Sequence, residues 1–378
     1  MKYNIKDVRT GMVLRKDIAT PSGTVIIKKG TELTYDLIQR IKLIEVTVLD
    51  IVNTLVPEPD DDDDNMEEHL YLDNLEVQKD SDVDLEKVAA MRETEQYKRF
   101  YDKYTSSLSS FEANMSDFLN HQNAYNPQTL IEKTKKILYP SSSSAIDILR
   151  MMICMEGMDA STYAHSVNVS IIARILGEWM GMSEADLDTL TLGGLLHDIG
   201  KLDLDKEVLF KPGKLTDREF EIVKQHPMKG YSHVQKNMHI SEDVKMCVLQ
   251  HHEKTDGSGY PLSYRGDQIN KFARIITIAD VYDALTANRC YRAGMSPFKA
   301  AAIIQSEAYE KYNPNAALTF LKKIVNSYLG DNASIEGDRE VKILQINDSD
   351  LVHPLVVESA TGNVIDLHKT GEEIVKIL

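Results

Sequence analysis

The sequence is poor in cysteine and has no long apolar run, and both absences narrow the class of protein. Cys154, Cys247 and Cys290 lie far apart among the 378 residues and form no CxxC pair. We therefore expect isolated, reduced thiols rather than a disulfide framework. No apolar stretch is as long as the roughly 18 residues of a membrane span, and Met1 is not followed by a signal-peptide pattern. These absences predict a soluble, cytoplasmic protein without a membrane anchor.

The sequence also lacks a basic patch of the kind that binds nucleic acid. Its formal net charge is -16, but fourteen Asp or Glu and only two Lys lie within Pro57–Lys87. The rest of the chain is close to neutral, so an anionic substrate must be held by local charges such as metal ions and a few Arg or Lys. A role in binding DNA is therefore not expected.

Composition and turn signals divide the chain into five segments. We predict a β-rich segment (1–56), an acidic linker (57–87), a helical connector (88–125), a helical domain (126–330) and a second β-rich segment (331–378). Dense like charge resists compaction, which favours a solvated linker over a partner-binding tail or a cation-binding loop. Neither β segment can bury its own apolar face, so we expect the two to pack together.

Periodicity and capping signals predict the helices. We expect a long polar helix over Val88–Phe118, acting as a stalk or dimerising segment, and core helices over Ala145–Met155, Thr162–Met180 and Ala185–Asp198. Ser183 and the pair Ser296-Pro297 carry the side chains that begin helices. The predicted fold class is mainly α, a helical bundle flanked by small β segments.

Two adjacent pairs of metal-binding side chains, His197-Asp198 and His251-His252, lie in this helical domain. Neighbouring residues of a helix diverge by about 100°, so each pair can reach one point in front of its helix. A carboxylate can bridge two cations and an imidazole cannot, which makes Asp198 the natural bridging ligand. A mixed His and carboxylate site suits Fe, Mn, Ni or Zn better than Mg or Ca.

Further polar residues surround these pairs at helical spacing. Asp280 and Asp283 are three residues apart and share a helix face. Lys201 follows Asp198 by three residues and is placed to meet a phosphate oxygen or a leaving group. Two ions lower the pKa of a bridging water and clamp a phosphoryl oxygen, so the pattern predicts a di-metal phosphodiesterase.

The segment HHEKTDGSGYP (251–261) ends in a glycine-rich loop. Gly257 and Gly259 are expected to permit positive φ and a tight turn near the metals or the substrate. Tyr260 offers a ring and a hydroxyl, with three roles open: stacking on a base of the substrate, packing against the bundle, or binding a protein partner.

At these residues the chain closely resembles the HD-GYP family, a branch of the HD-domain phosphohydrolases. The resemblance covers about residues 126–329 and rests on HDIGK (197–201), KPGKLT (211–216), the His226-Pro227 helix, HHEKTDGSGYP, ARIITIADVYDALT (273–286) and RCYR (289–292). It implies an all-α HD-type bundle around two or three metals, and hydrolysis of cyclic di-GMP.

The resemblance also implies roles for individual residues. The metal ligands would be His165, His197, Asp198, His226, His251, His252 and Asp280. His165, His197, Asp198 and Asp280 would surround one ion, and Asp198, His226, His251 and His252 the other. Asp198 and Lys201 would be catalytic. Substrate contacts would come from Lys201, Asp283, Arg289, Arg292, Tyr260 and Gly259, with the two arginines as candidate phosphate clamps.

One departure from the family bears on the number of metals. Members with a third metal carry a Glu one turn before the first histidine, where this chain has Ser161. A hydroxyl is a poor ligand beside a carboxylate, so we predict two divalent transition-metal ions, with Fe or Mn favoured over Ni or Zn.

The expected activity is hydrolysis of cyclic di-GMP to linear pGpG, by attack of a hydroxide that bridges the metals. Cleavage onward to GMP is left open. One alternative is another cyclic dinucleotide, since nothing in the sequence reads guanine. The other is a cyclic di-GMP-binding or partner-binding signalling module with little activity. A homodimer, and a protein partner at the GYP loop, are further expectations.

Overall fold

The computed structural model describes residues 85–120, 125–138, 144–155, 162–209, 211, 215–287 and 294–377, with short stretches among the first fifty. These residues belong to two compact units, residues 1–75 with 205–217 and residues 76–204 with 218–378. In the first unit β1 (Lys2–Asn4) pairs with β4 (Val48–Asp50), and β2 (Ile18–Ala19) pairs with β3 (Val25–Ile27), both antiparallel. The packing of these strands against the C-terminal segment stays a prediction, and most of the acidic segment lies outside the described residues.

Helices dominate the described residues, which confirms the predicted fold class. They are α1 (Leu85–Glu93), α2 (Glu95–Asn120), α3 (Gln128–Leu138), α4 (Ala145–Ile153), α5 (Thr162–Trp179), α6 (Glu184–Leu196), α7 (Lys206–Leu209), α8 (Asp217–Val223), α9 (His226–Val234), α10 (Glu242–Gln250), α11 (Lys271–Thr286), α12 (Pro297–Glu307), α13 (Pro314–Asn326) and α14 (Leu367–Thr370). A 3-10 helix (Ile199–Asp203) follows α6. Among them, no helix has the length and apolar character needed to cross a membrane. The cytoplasmic location stays a prediction.

The long helix predicted over Val88–Phe118 is two helices with a break at Thr94. The Thr94 hydroxyl accepts a hydrogen bond from the Tyr97 amide at 3.1 Å, which caps the start of α2. Eight apolar side chains along this region are buried: Val88, Tyr97, Phe100, Tyr104, Leu108, Phe111, Met115 and Phe118. The helices α1 and α2 therefore bury one face against the other helices, and only their other face is polar.

The centre of the helical body is the close pair α5 and α6. A Cβ at Gly194 would lie 2.5 Å from the Cα of Ser170, so only glycine permits this approach of the two helices. Arg174 is fully buried and pairs with Glu184 at 2.6 Å and with Asp188 at 2.9 Å. A buried guanidinium is tolerated only when it is paired in this way, so these contacts fix α6 against α5.

The C-terminal segment forms a five-stranded antiparallel sheet in the order β8-β7-β6-β5-β9. Its strands are β5 (Asn332–Ile335), β6 (Arg339–Asn347), β7 (Asp350–Glu358), β8 (Val364–Asp366) and β9 (Ile374–Ile377). Gln305 of α12 accepts from the Leu351 amide at 3.2 Å and donates to Asp350 at 3.4 Å. The sheet is thereby attached to the helical body at α12.

Candidate metal centre

Asp198 lies at the middle of a buried cluster of histidines. Its Oδ2 atom is 3.4 Å from His197 Nε2 and 3.6 Å from His165 Nε2. Its Oδ1 atom is 3.3 Å from His226 Nε2 and 3.8 Å from His251 Nε2. The carboxylate is 1% exposed, and each of its oxygens faces a different pair of imidazoles. This is the arrangement that a bridging ligand requires.

The ligand atoms fall into two groups, each within 4.8 Å. We name them the carboxylate-rich half-site (His165, His197 and Asp280) and the imidazole-rich half-site (Asp198, His226, His251 and His252). All seven residues are buried. The structure thus brings together every residue that the family resemblance implies as a metal ligand, in the two sets that it implies, with Asp198 between them.

Three of the imidazoles are oriented by the ends of helices. The Nδ1 atoms of His197, His226 and His251 lie 2.8, 2.8 and 3.0 Å from the carbonyl oxygens of the residues three positions earlier. Those carbonyls belong to the last turns of α6, α8 and α10, where carbonyl groups have no partner within the helix. Each Nδ1 therefore carries the proton and donates it, and each Nε2 presents a lone pair to the site.

This tautomer makes the imidazole-rich half-site a good fit for a cation. His226 Nε2 and His251 Nε2 lie 3.1 Å apart, so two lone pairs face each other. Among the described residues, the buried atoms His197 Nε2 and Asp198 Oδ1 make no hydrogen bond. Buried acceptors without donors are costly, and a divalent ion in each half-site would satisfy them, His197 Nε2 in the carboxylate-rich one and Asp198 Oδ1 in the imidazole-rich one.

The carboxylate-rich half-site is built around His165 of α5. His165 Nε2 is 2.9 Å from Asp280 Oδ1, and His165 Nδ1 is 2.7 Å from Asp283 Oδ2. The predicted shared face of Asp280 and Asp283 on α11 is thus confirmed. Asp283 lies on the far side of the His165 ring from the site, where it orients the ring, whereas the resemblance implies a contact with substrate.

The charges of the two half-sites differ. Burial alone would lower the pKa of His165, but hydrogen bonds to Asp280 and Asp283 raise it to about 9. Burial, together with the nearby His197, lowers the pKa of His251 to about 4. Burial opposes ionisation of Asp198, yet the Lys201 ammonium and the surrounding histidines hold its pKa well below the usual range. Burial likewise opposes ionisation of Asp280, but the hydrogen bond to His165 and the charge of that ring hold its pKa well below the usual range, so both half-sites contain an ionised carboxylate at neutral pH.

The two pairs of adjacent ligands lie just beyond the helices predicted to carry them. α6 ends at Leu196 and α10 ends at Gln250, so His197 and His251 are the residues that close each helix. Asp198 directly precedes the 3-10 helix, whose tighter turn brings Lys201 Nζ to 2.7 Å from Asp198 Oδ2. The prediction that each pair lies within its helix was therefore wrong. Each pair follows the end of its helix, where free carbonyl groups orient the rings.

Gly200 explains how the turn after Asp198 reaches α9. A Cβ at Gly200 would lie 2.0 Å from the carbonyl oxygen of His226 and 2.5 Å from the amide nitrogen of Gly230. Backbone therefore packs directly on backbone, which a side chain would prevent. This contact brings His226 within reach of Asp198.

The GYP loop packs against the imidazole-rich half-site. The Tyr260 ring stacks on His252 with 4.6 Å between centroids and 26° between planes. Gly257 has a φ of 82°, as predicted, but Gly259 does not adopt positive φ. Gly259 is needed for a different reason, since a Cβ there would lie 2.4 Å from the His252 carbonyl oxygen.

Some predicted residues stay untested. Arg289, Arg292 and Ser161 lie outside the described residues. The phosphate clamp and the argument for two rather than three metals therefore stay predictions. Glu253 was missed by the sequence reasoning. Its buried carboxylate accepts hydrogen bonds from two amides of the GYP loop, and a charged residue directly after two ligands was the available signal.

The fold and this pair of half-sites define the chain as an HD-domain protein built to hold divalent metal ions. A family model described as the HD domain matches residues 129–316. The solved structure of an HDG"Y"P protein from Bdellovibrio bacteriovorus covers 85% of this chain and 97% of its own, with a TM-score of 0.50 and 17% identity. That likeness concerns the fold alone.

Curated relatives give a more specific match. A cyclic di-GMP phosphodiesterase of Pseudomonas aeruginosa is 33% identical over 59% of this chain and 56% of its own length. A cyclic di-GMP phosphodiesterase of Thermotoga maritima is 33% identical over 51% and 53%, respectively. A 3'3'-cGAMP-specific phosphodiesterase of Vibrio cholerae is 38% identical over 44% and 35%. The chain thus spans about a third to just over half of each relative. Together with the HD-domain match, these relatives show that it belongs to the HD-GYP family.

Proposed function

We propose that the protein is a metal-dependent phosphodiesterase that opens cyclic di-GMP to linear pGpG. Support comes from the family, from the relatives that are named cyclic di-GMP phosphodiesterases, and from the geometry of the site. The observation that carries the proposal is the position of Asp198, with one oxygen directed at each half-site.

Metal ions bound there would be held by His165, His197 and Asp280 on one side and by His226, His251 and His252 on the other, with Asp198 shared. Bound divalent ions lower the pKa of coordinated water and stabilise charge on phosphoryl oxygens. Fe and Mn are the favoured ions, because imidazole and carboxylate together suit such metals.

The protein's own groups prepare the site for that reaction. Burial lowers the pKa of His197, His226 and His251 and so keeps the rings neutral, while their Nδ1 donors orient them, so no rearrangement is needed when a cation arrives. Lys201 carries a fixed positive charge beside Asp198 Oδ2. In a buried site such a charge stabilises the negative charge that develops on a phosphoryl oxygen or leaving group.

A second substrate, 3'3'-cGAMP, is favoured by a specific observation. The Vibrio cholerae relative named as specific for it is 38% identical over 165 residues, a higher identity than that of the two cyclic di-GMP relatives given above. The proposed chemistry takes place at the phosphodiester, which both dinucleotides share, so the metal ligands themselves do not select a base. Both cyclic dinucleotides are therefore candidate substrates, and pGpG or its cGAMP counterpart would be the product.

The decisive experiment is turnover of each cyclic dinucleotide by protein reconstituted anaerobically with Fe(II) or Mn(II). We expect linear product from wild type and none from Asp198→Ala with unchanged circular dichroism. Wild type that holds metal but cleaves neither dinucleotide, while binding one of them, would replace the proposal with a signalling module that binds and does not hydrolyse.

A further inference from the structure

Glu253 and Tyr260 lie on a loop whose backbone folds back on the metal-binding pair. Glu253 is 2% exposed, and its two carboxylate oxygens accept hydrogen bonds from the Leu262 amide at 2.6 Å and the Tyr264 amide at 2.9 Å. The Tyr260 amide donates to the His252 carbonyl at 3.1 Å. Three separate hydrogen bonds therefore close the loop over residues 252–264.

The closed loop places an aromatic ring on one metal-binding imidazole. The Tyr260 ring stacks on His252, with 4.6 Å between centroids and 26° between planes. Gly259 allows this because its backbone packs directly against the His252 carbonyl oxygen. A Cβ at this position would lie 2.4 Å from that oxygen, which is too close. The rings of His197, His226 and His251 are oriented from behind by carbonyl groups, whereas His252 gains a contact of a different kind on its face.

We propose that this loop is a clamp that positions His252, with Glu253 as its anchor and the Tyr260 ring as its contact surface. The inference rests on the proposed function only in taking His252 as a metal ligand. It assigns the tyrosine of the loop to metal affinity and not to the recognition of a base. Glu253 acts through the loop, and both residues are positioning residues.

The anchor has a physical reason to be a carboxylate. Its two oxygens are held between the Leu262 and Tyr264 amides, one oxygen to each. A buried carboxylate accepts two amide hydrogens at once, which pairs both of these donors. Substitution by alanine would strand both amides, and a buried donor without a partner is costly enough to open a short loop.

The test is a titration of the metal-free protein with Co(II) alone, in which the visible absorption of the bound ion measures binding. Outer contacts that orient a ligand typically contribute about 10- to 100-fold in metal affinity. We expect Tyr260→Leu and Glu253→Ala each to weaken one of the two Co(II) sites by about that factor and to change its spectrum. The other site serves as an internal control for folding.

One conservative variant and one control at an exposed tyrosine make the test specific. Tyr260→Phe keeps the ring and is expected to bind Co(II) as wild type does, while Tyr309→Leu makes the same change at a tyrosine that is 71% exposed. If Tyr260→Leu binds both ions as wild type does and only KM for the dinucleotide rises, the clamp is wrong and Tyr260 contacts substrate. If Tyr260→Phe fails as Tyr260→Leu does, the hydroxyl and not the ring is responsible, which also overturns the clamp.

The outcome does not depend on the identity of the substrate. Co(II) affinity is measured without any nucleotide, so failure of the proposed activity leaves this result intact. A clamp that fails while wild type cleaves cyclic di-GMP would in turn leave the proposed function in place.

Discussion

The two half-sites both present ligands for a divalent ion, but their side chains and charges differ. In the carboxylate-rich half-site His165 contacts Asp280 and, behind the ring, Asp283, and the pKa of His165 is about 9. The imidazole-rich half-site gathers three histidines, and burial holds the pKa of His251 at about 4. In the first, a proton on His165 can balance the carboxylates when no metal is bound. In the second the imidazole lone pairs stay unprotonated and open to a cation.

The comparison shows that one carboxylate can be shared by two half-sites of different composition. Asp198 provides an oxygen to each, and Lys201 is its only ion-pair partner of the lysine or arginine type among the described residues. Loss of Asp198 should therefore affect both sites, whereas loss of any histidine should affect mainly one.

The largest effect is expected for Asp198→Asn, which preserves shape but removes the charge and the second oxygen. We expect both ions to be bound far more weakly and kcat for cyclic di-GMP to fall by about 10²- to 10³-fold, because electrostatic stabilisation in buried sites is worth that much. Metal analysis and a turnover assay measure both. A variant with two tightly bound ions and near-normal kcat would disprove the shared role.

Removal of one histidine should separate the half-sites. We expect His226→Ala and His197→Ala each to retain about one ion per chain, since each removes a ligand from one side only. Metal content after gel filtration is the measurement. Equal loss of both ions in either variant would show that the half-sites form one cooperative unit.

The pH dependence of metal binding should also distinguish them. A ligand must lose its proton to bind metal, so His165, with a pKa of about 9, resists metal more strongly as the pH falls below that value. We expect Co(II) affinity in His226→Ala to rise steadily toward about pH 9. His251 is already neutral above about pH 5, so affinity in His197→Ala should be nearly flat from there upward. Identical profiles would contradict the comparison.

The smallest effect is expected for Asp283→Asn. The amide oxygen can still accept from His165 Nδ1, but the negative charge behind the ring is lost, which lowers ligand basicity. We expect about a tenfold loss of affinity at the carboxylate-rich half-site and no change at the other.

The exposed Asp267 offers a matched control for that variant. Asp267→Asn removes the same charge from a fully exposed side chain at the protein surface. It should leave both affinities unchanged. A loss there equal to that of Asp283→Asn would point to a general charge effect and not to orientation of His165.

Much of the fold was predictable, because its signals are local. Ser183 and Ser296 cap the helices that they were predicted to begin. Three of the five C-terminal strands, β6, β7 and β8, lie in the segment predicted to be β-rich and coincide with its apolar runs VKILQI (341–346), HPLVVES (353–359) and VIDL (364–367). The ends of helices were less accurate, and the break at Thr94 was missed, since a single threonine cap inside a helical pattern gives little signal.

The ligands of the candidate site were predictable as residue types, but the way they are held was not. Adjacent metal-binding residues indicate where a site is, whereas the carbonyls that orient His197, His226 and His251 are backbone atoms with no signature of their own. Asp283 was predicted near the substrate and lies behind His165. Sequence spacing gave the helix face, and only packing decides which side of a ring a carboxylate occupies.

The most direct test of the account is anomalous diffraction from crystals of the protein loaded with Mn(II). We predict two peaks about 3.5 to 4 Å apart, one beside His165, His197 and Asp280 and the other beside His226, His251 and His252, with the Asp198 carboxylate between them. A single peak, or two peaks of which only one contacts Asp198, would contradict the shared carboxylate on which the proposed reaction depends.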